Sequence, residues 1–176
     1  MALRETTSGE LVFAPCMPVV DVETYDLLGD VGNVASKLHL AIVGILFDGI
    51  ASQYYLLKES QADRFSGVVK AHLSRLPQPF AAFNCAFDRD VLSGNGCGDY
   101  VFKELQARGY ERKQDAKLAV GLHYPDPYNG NGVECAREYA QYLRIDDRNC
   151  LERALQHNLC CLLTESDLCR LRGAGR

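Results

Sequence analysis

The sequence has little of what would place it outside the ordinary globular proteins. It contains no tryptophan, two methionines and no apolar run near the ~20 residues of a membrane-spanning helix. It also has no internal repeat and no low-complexity tract. With 47% hydrophobic and 24% charged residues, the composition is typical of a globular domain and predicts no membrane association.

The eight cysteines include no C-x-x-C pair, and Cys160 and Cys161 are adjacent. No zinc module is therefore indicated, and a thiol-based redox function at these two residues is disfavoured. We expect mostly buried free thiols, although spacing alone leaves disulfide pairing open. The polar amino-terminal segment lacks the apolar stretch of a secretory signal, so we expect a cytoplasmic protein.

The chain also lacks an excess of positive charge. Its formal net charge of −4 argues against a protein that coats nucleic acid through a broad basic face. A nuclease remains compatible with this charge, because carboxylates can hold cations that in turn bind phosphate.

The length predicts a single domain over residues 1–176, with residues 1–17 as a peripheral N-terminal segment. The short, β-branched run Pro18–Glu23 predicts a central strand. Residues 39–49 and 51–59 predict two further strands joined by the turn pair Asp48-Gly49. We therefore expect an antiparallel meander at the start of an α/β fold.

The rest of the chain alternates helical and irregular patterns. Apolar spacings of three and four predict a helix over 62–76, and the apolar run 79–88 predicts a buried fourth strand parallel to a neighbour. Further helices are expected around 100–107, at 133–143 and over about 150–171, the last capped by Asp146 or Asp147. Prolines and Asn-Gly pairs make residues 123–132 irregular.

Acidic residues at the predicted strand ends are candidates for metal binding. Asp21 and Glu23 alternate in a strand, so their carboxylates lie on one face and repel each other unless a cation or solvent is present. Asn84 and Asp88 follow the predicted fourth strand, and His157 lies on the last helix as a candidate base. A structural role for a lone helical histidine is the alternative.

Together these motifs resemble the DEDD 3'-5' exonuclease superfamily of the ribonuclease H-like fold. The resemblance is carried by Asp21-Val-Glu23-Thr24, an Ile-Val-Gly strand, Asn84-Cys-Ala-Phe-Asp88 and His157-Asn158-Leu159, and is closest to putative nucleases whose last motif reads His-Asn-x-x-Asp. It implies a three-layer fold with a mixed five-stranded sheet flanked by helices. It also implies two-metal hydrolysis of single-stranded DNA or RNA with Mg²⁺ or Mn²⁺.

The resemblance also implies roles for individual residues. Asp21 would bridge both ions, Glu23 would bind the first, Asp88 would hold the second, and His157 would deprotonate the attacking water. Thr24, Asn84 and Asn158 would contact the substrate.

One position departs from the motif, since Cys161 stands where the family has its last aspartate. A thiol is a poor ligand for Mg²⁺, so we expect a weakened first metal site. Glu165, one helical turn further on, is the candidate replacement. The alternative function is a catalytically impaired domain that serves as a nucleic-acid-binding or assembly subunit. The choice between DNA and RNA and the oligomeric state stay open.

Four tyrosines in the C-terminal half are a weaker indication of nucleic-acid binding: Tyr124, Tyr128, Tyr139 and Tyr142. Their rings could stack on unpaired bases, but packing within the domain is the favoured interpretation.

Overall fold

The computed structural model of the chain describes residues 17–107 and 111–172. It is an α/β structure built on one five-stranded mixed sheet, with strand order β3-β2-β1-β4-β5. The strands are β1 Val19–Thr24, β2 Leu40–Phe47, β3 Ile50–Tyr55, β4 Phe80–Ala82 and β5 Phe102–Glu104. The predicted peripheral segment 1–17 lies outside the described residues except for Met17.

The predicted meander is confirmed. Strand β2 pairs antiparallel with both β1 and β3, and the turn between β2 and β3 is Asp48-Gly49. These two residues have φ values of 50° and 73°, as the two central residues of a type I′ turn require. The register places Asp21 opposite Gly44, which determines what can pack over this point of the sheet.

The other half of the sheet is parallel and shorter than predicted. Strand β4 spans three residues of the predicted run 79–88 and pairs parallel with β1 and β5. The helix predicted around residues 100–107 is wrong, because Phe102–Glu104 forms β5 instead. Pairing with β4, a contact distant in sequence, overrides the helix-like local pattern there.

Within residues 17–107 and 111–172, five α-helices accompany the sheet. They are α1 Ala62–Leu73, α2 Cys85–Gly94, α3 Lys113–Ala119, α4 Gly132–Ile145 and α5 Arg148–Leu171, and three short 3-10 helices lie at Leu28–Val31, Ala35–Lys37 and Glu59–Gln61. Helices α1, α4 and α5 match their predicted positions, and the Asp147 side chain caps α5 by accepting from Asn149 N. Helices α2 and α3 were not predicted.

The sheet is buried on both faces. Every residue of β1 and seven of the eight residues of β2 are buried, so helices cover both sides of these central strands. Side chains alternate along β1, so Val20 and Val22 face one side, and Asp21 and Glu23 face the side on which α5 packs. Within the described residues, the fold thus places two carboxylates in an interior that is otherwise largely apolar.

Candidate metal and catalytic centre

Buried polar side chains concentrate at one place, where β1, α2 and α5 meet. The described residues that are both buried and polar or charged are Asp21, Glu23, Thr24, Asp88, His157, Asn158, Thr164 and Glu165. Six of them are residues that the sequence marked as candidates, Thr164 is an additional buried residue, and Glu165 was the candidate replacement ligand. Burial of this many ionisable groups is costly unless they bind cations or protons.

Strand β1 supplies the first two carboxylates, as predicted. Asp21 and Glu23 lie two residues apart on one face and are 5% and 8% exposed. Asn158 on α5 donates from Nδ2 to Asp21 Oδ2 at 2.8 Å, and Gln53 on β3 donates to Asn158 Oδ1 at 2.9 Å. This chain of hydrogen bonds fixes the orientation of Asp21.

The third carboxylate, Asp88, comes from a helix and not from the end of a strand. The predicted strand 79–88 stops at Ala82, and Asn84 caps α2 by accepting from Phe87 N. Asp88 therefore lies in the first turn of α2, where its Oδ1 accepts from Val22 N at 3.3 Å. A negative charge in the first turn of a helix is favoured by the helix dipole.

Helix α5 supplies three buried side chains along one stripe. His157, Cys161 and Glu165 are four residues apart, so they lie one above the other on the same face. Cys161 Sγ lies 3.9 Å from His157 Nε2, and Glu165 is fully buried. The sequence-based prediction that Glu165 shares the face of Cys161 is confirmed.

Close packing of α5 against the sheet depends on Gly44. A Cβ atom at this position would lie 2.3 Å from Asn158 Oδ1 and 2.6 Å from Leu162 Cδ1. A glycine opposite Asp21 in the register therefore lets α5 approach closely enough for Asn158 to reach the carboxylate.

A lysine that sequence reasoning missed binds two of these carboxylates. Lys113, the first residue of α3, places Nζ 2.7 Å from Asp21 Oδ1 and 2.5 Å from Glu165 Oε1. The contact to Glu165 is an ion pair without hydrogen-bond geometry, and both Glu165 oxygens lack a hydrogen-bond partner among the described residues. The Lys113 side chain is 24% exposed, so it lies at the rim of the cluster.

A second missed residue, Asp126, orients the histidine. Its Oδ1 lies 2.7 Å from His157 Nδ1, and the Tyr128 ring packs edge-on against the imidazole. The same carboxylate accepts from the backbone N–H groups of Tyr128 and Gly130, so the loop holds it in place. His157 Nε2 consequently points towards Glu23 Oε1, 3.7 Å away.

The carboxylates outnumber the cations that contact them. In the described parts of the chain, Lys113 and His157 contact four acids, Asp21, Glu23, Asp126 and Glu165, and a fifth, Asp88, lies close enough for the charge of Lys113 to affect it. Burial raises the pKa of Glu23 to about 8 and raises the pKa values of Asp88 and Glu165 well above their usual range. Burial also opposes ionisation of Asp21, but Lys113 outweighs it and lowers the pKa of Asp21.

The histidine is held in its charged form by these acids. Burial disfavours the imidazolium, but the charge of Glu23 and the hydrogen bond to Asp126 outweigh it and raise the pKa of His157 to about 12. The acids on both sides of the ring therefore favour its charged form.

The thiols of this region are not activated. Cys160 and Cys161 are not in disulfides, and burial raises the pKa of Cys161 to about 11 and also raises that of Cys160. A reactive thiol needs a lowered pKa, so a redox function at these residues stays disfavoured.

The residues predicted to contact substrate have different surroundings. Thr24 is buried and donates from Oγ1 to Asp26 O, Asn158 is buried against Asp21, and Asn84 is exposed at the start of α2. Among the tyrosines, Tyr139 and Tyr142 are buried core residues, which agrees with the packing interpretation. Tyr124 and Tyr128 donate from their hydroxyls to Asp167 and Glu138.

A separate surface cleft of about 1040 Å³ is lined by none of these carboxylates. Its lining includes Lys58, Arg137, Arg144 and Arg148, of which Arg137 and Arg148 pair with Glu134 and Asp146. Two of these four cationic side chains are therefore already paired with carboxylates. The buried cluster remains the better candidate site.

The donor set of the cluster fits a divalent cation. Carboxylate oxygens are the ligands that Mg²⁺ and Mn²⁺ prefer. Neither oxygen of Glu165 has a hydrogen-bond partner among the described residues, and Oε1 is ion-paired with Lys113, which an ion bound there would have to displace.

No family model, no curated protein and no solved structure matches the chain. In the described residues, no helix combines the length and apolar character that crossing a bilayer requires.

Proposed function

We propose that this chain is a divalent-metal-dependent phosphodiester hydrolase of the ribonuclease H-like kind, acting as a 3'-5' exonuclease on single-stranded DNA or RNA. The observation that carries the proposal is the convergence of four buried carboxylates from β1, α2 and α5: Asp21, Glu23, Asp88 and Glu165. The order of Asp21, Glu23, Asp88 and His157 in the sequence resembles the motifs of the DEDD exonuclease superfamily, with Cys161 in the place of its last aspartate.

Electrostatics support a cation requirement. Buried carboxylates with raised pKa values are poorly compensated, and a divalent cation would compensate them. Bound Mg²⁺ or Mn²⁺ would polarise the scissile phosphate and lower the pKa of a water molecule. Asp21, Glu23 and Asp88 would hold the ions, with Glu165 as the ligand that compensates for Cys161.

The residues around the acids have supporting roles in this proposal. Asn158 keeps Asp21 in position, and Asp126 directs His157 Nε2 towards Glu23. A cation on Glu23 would offset the charge that contributes to holding His157 protonated, and this would allow the histidine to accept a proton.

A second candidate function is a non-catalytic domain that binds nucleic acid or assembles with other chains. The contacts of Lys113 favour it, because this ammonium lies against Asp21 and Glu165, where a hydrolase needs a metal ion. Cys161 favours it as well, since the thiol removes one oxygen ligand. In this case Lys113 would serve as a permanent structural cation.

The two functions differ in metal stoichiometry and in turnover. We would measure Mg²⁺ and Mn²⁺ binding by calorimetry and digest 3'- and 5'-end-labelled single strands of DNA and RNA in the same buffers. The variant is Asp88→Asn, and the matched control is Asp90→Asn, a more exposed carboxylate on the same helix. The hydrolase predicts binding of two ions and degradation from the 3' end. Asp88→Asn should lose the second ion and the degradation, and Asp90→Asn should keep both.

The opposite outcome is equally informative. Absence of cleavage of both substrates with both metals would overturn the hydrolase. Cleavage that survives unchanged in Asp88→Asn would point to a contaminating nuclease and would also count against it.

A further inference from the structure

Three donor atoms of different chemical hardness meet in the candidate site. They are a carboxylate oxygen of Glu23, Nε2 of His157 and Sγ of Cys161, and all lie within 4.8 Å of one another. All three side chains are buried. Oxygen, imidazole nitrogen and thiolate sulfur form a set that suits a borderline ion better than Mg²⁺.

The separations are close to those of a tetrahedral site. Nε2 lies 3.7 Å from Glu23 Oε1 and 3.9 Å from Cys161 Sγ. Ligands of a tetrahedral zinc ion lie about 3.4 to 3.6 Å apart, given the usual zinc–ligand bond lengths. Two of the three donor pairs are thus within a few tenths of an ångström of these separations, and the third pair, Glu23 and Cys161, lies within 4.8 Å.

The surroundings of His157 supply the hydrogen bond that a metal-bound histidine needs. The Asp126 carboxylate lies 2.7 Å from Nδ1, which leaves Nε2 free to face Glu23 and Cys161. A carboxylate on the far nitrogen fixes the tautomer and the ring orientation of a histidine ligand. Because the Asp126 side chain is itself held by two backbone N–H groups, this orientation is built into the loop.

We propose that Glu23, His157 and Cys161 form a site for one borderline divalent ion, of which Zn²⁺ is the representative. Three protein ligands leave a fourth position open, as in catalytic zinc sites. The proposal does not rest on phosphodiester hydrolysis, although it uses two residues of the proposed hydrolytic centre. Since His157 cannot both bind an ion and accept a proton at Nε2, bound Zn²⁺ would inhibit hydrolysis that depends on Mg²⁺.

Cobalt binding tests the site directly, because Co²⁺ takes the place of Zn²⁺ and a thiolate ligand gives a sulfur-to-cobalt charge-transfer absorption. We would titrate Co²⁺ into the full chain, compete it with Zn²⁺, and repeat both with Cys161→Ser. The expected result is one ion per chain with the thiolate band. The band should disappear in Cys161→Ser, and zinc affinity should fall on the order of 100-fold or more, since even second-shell partners of a ligand contribute 10–100-fold.

The adjacent thiol provides the matched control. Cys160→Ser should keep the band, because Cys160 Sγ contacts Pro125 O and lies outside the three-donor group. A band that persists in Cys161→Ser, or the absence of Co²⁺ binding, would overturn the proposal.

A measurement on the unmodified chain covers the case in which a variant does not fold. Zinc X-ray absorption should show one sulfur among nitrogen and oxygen ligands, and a first shell without sulfur would contradict the site.

Failure of the zinc proposal can be distinguished from failure of the proposed hydrolase. Cleavage with Mg²⁺ or Mn²⁺ but no thiolate band with Co²⁺ refutes the zinc site alone. A thiolate band with Co²⁺, together with no cleavage by the zinc- and cobalt-free chain in Mg²⁺ or Mn²⁺, refutes the hydrolase alone.

Discussion

The ammonium group of Lys113 lies 2.7 Å from Asp21 Oδ1, so helix α3 supplies a cation to the first carboxylate of the site. The same ammonium contacts Glu165 on α5, and it therefore connects the central strand with the last helix. An ammonium and a metal ion cannot both occupy the space between these two carboxylates. Metal binding there requires Lys113 to move.

Replacement of Lys113 by methionine should lower stability and raise affinity for Mn²⁺. Loss of the ammonium leaves Asp21 and Glu165 buried without their cation, which should lower the free energy of unfolding by about 2 to 3 kcal/mol, less than for a fully enclosed pair. Urea titration with and without MnCl₂ measures both effects, because an ion that binds the native state restores stability.

Lys117→Met, on the same helix, is the control and should change stability by about 0.5 kcal/mol or less. Equal Mn²⁺ affinity in the wild type and in Lys113→Met would show that the lysine does not compete with the ion.

Substitution of Gly44 by alanine should displace α5 from the sheet. The new Cβ would lie 2.3 Å from Asn158 Oδ1, and relief of that overlap should cost about 1 to 3 kcal/mol. Metal affinity should fall as well, because Asn158 would lose its hydrogen bond to Asp21. Thermal unfolding and calorimetry give the two values.

Gly67→Ala on α1 is the contrasting control, since nothing lies within 4 Å of a Cβ there. An alanine inside a helix should stabilise it by about 0.5 to 1 kcal/mol. If both glycine variants behaved alike, the tight approach at Gly44 would not be needed.

The elements that the sequence predicted well carry their information locally. The hairpin at Asp48-Gly49, the β-branched run of β1 and the periodic helices α1, α4 and α5 each have a pattern within one segment. Strand β5 does not, because its three residues become a strand through pairing with β4. Helix α2 was missed because the apolar run 79–88 was interpreted as one strand, although Asn84 is a good N-cap residue.

The residues of the candidate site likewise fall into those with a local sequence pattern and those without one. Asp21, Glu23 and His157 are spaced in a motif, whereas Lys113 and Asp126 are positioned by contacts with residues far away in the chain. Lys113 is 92 positions from Asp21, and nothing near it in sequence distinguishes it from a surface lysine. The turn residues around Asp126 were an indication of a fixed loop, but they did not reveal its partner.

Replacement of Cys161 by aspartate should shift the metal preference of the site towards hard ions. An oxygen ligand restores the pattern His-Asn-x-x-Asp, so Mn²⁺ affinity should rise, by roughly tenfold or more on the scale of ligand effects. Under the proposed function, cleavage by Cys161→Asp should exceed that of the wild type. Cys169→Asp is not a suitable control because it places a charge in the core, and Cys161→Asn, which keeps size without charge, is preferable. A loss of Mn²⁺ binding in Cys161→Asp would contradict this prediction.

The thiol of Cys85 should react slowly at pH 8. Burial and the neighbouring Glu104 raise its pKa to about 12. Its alkylation by iodoacetamide should therefore be on the order of 1000-fold slower than at an unperturbed thiol, and should rise about tenfold per pH unit below that pKa, because the thiolate is the nucleophile. Peptide mass spectrometry after timed alkylation gives the rate.

Glu104→Gln tests the electrostatic part of this shift. It removes a negative charge, lowers the pKa and should speed alkylation of Cys85, though not to the free-thiol rate because burial is the larger cause. Glu152→Gln, an exposed acid on α5, should have no effect. Rapid labelling of Cys85 at pH 8 in the wild type would show that the thiol is activated after all.

Replacement of Asp126 by asparagine should weaken zinc binding without removing a ligand. The single oxygen of asparagine can still accept from Tyr128 N–H, as Asp126 Oδ1 does, whereas the amide nitrogen in the place of Oδ2 cannot accept from Gly130 N–H, so the loop should lose one hydrogen bond. The charge that orients His157 is lost, and zinc affinity should fall by about 10- to 100-fold. The cobalt–thiolate band should persist at saturating Co²⁺, because Cys161 is untouched. A disappearance of the band at saturation would mean that Asp126 is itself a ligand, and an unchanged affinity would mean that its contact with Nδ1 does not tune the site.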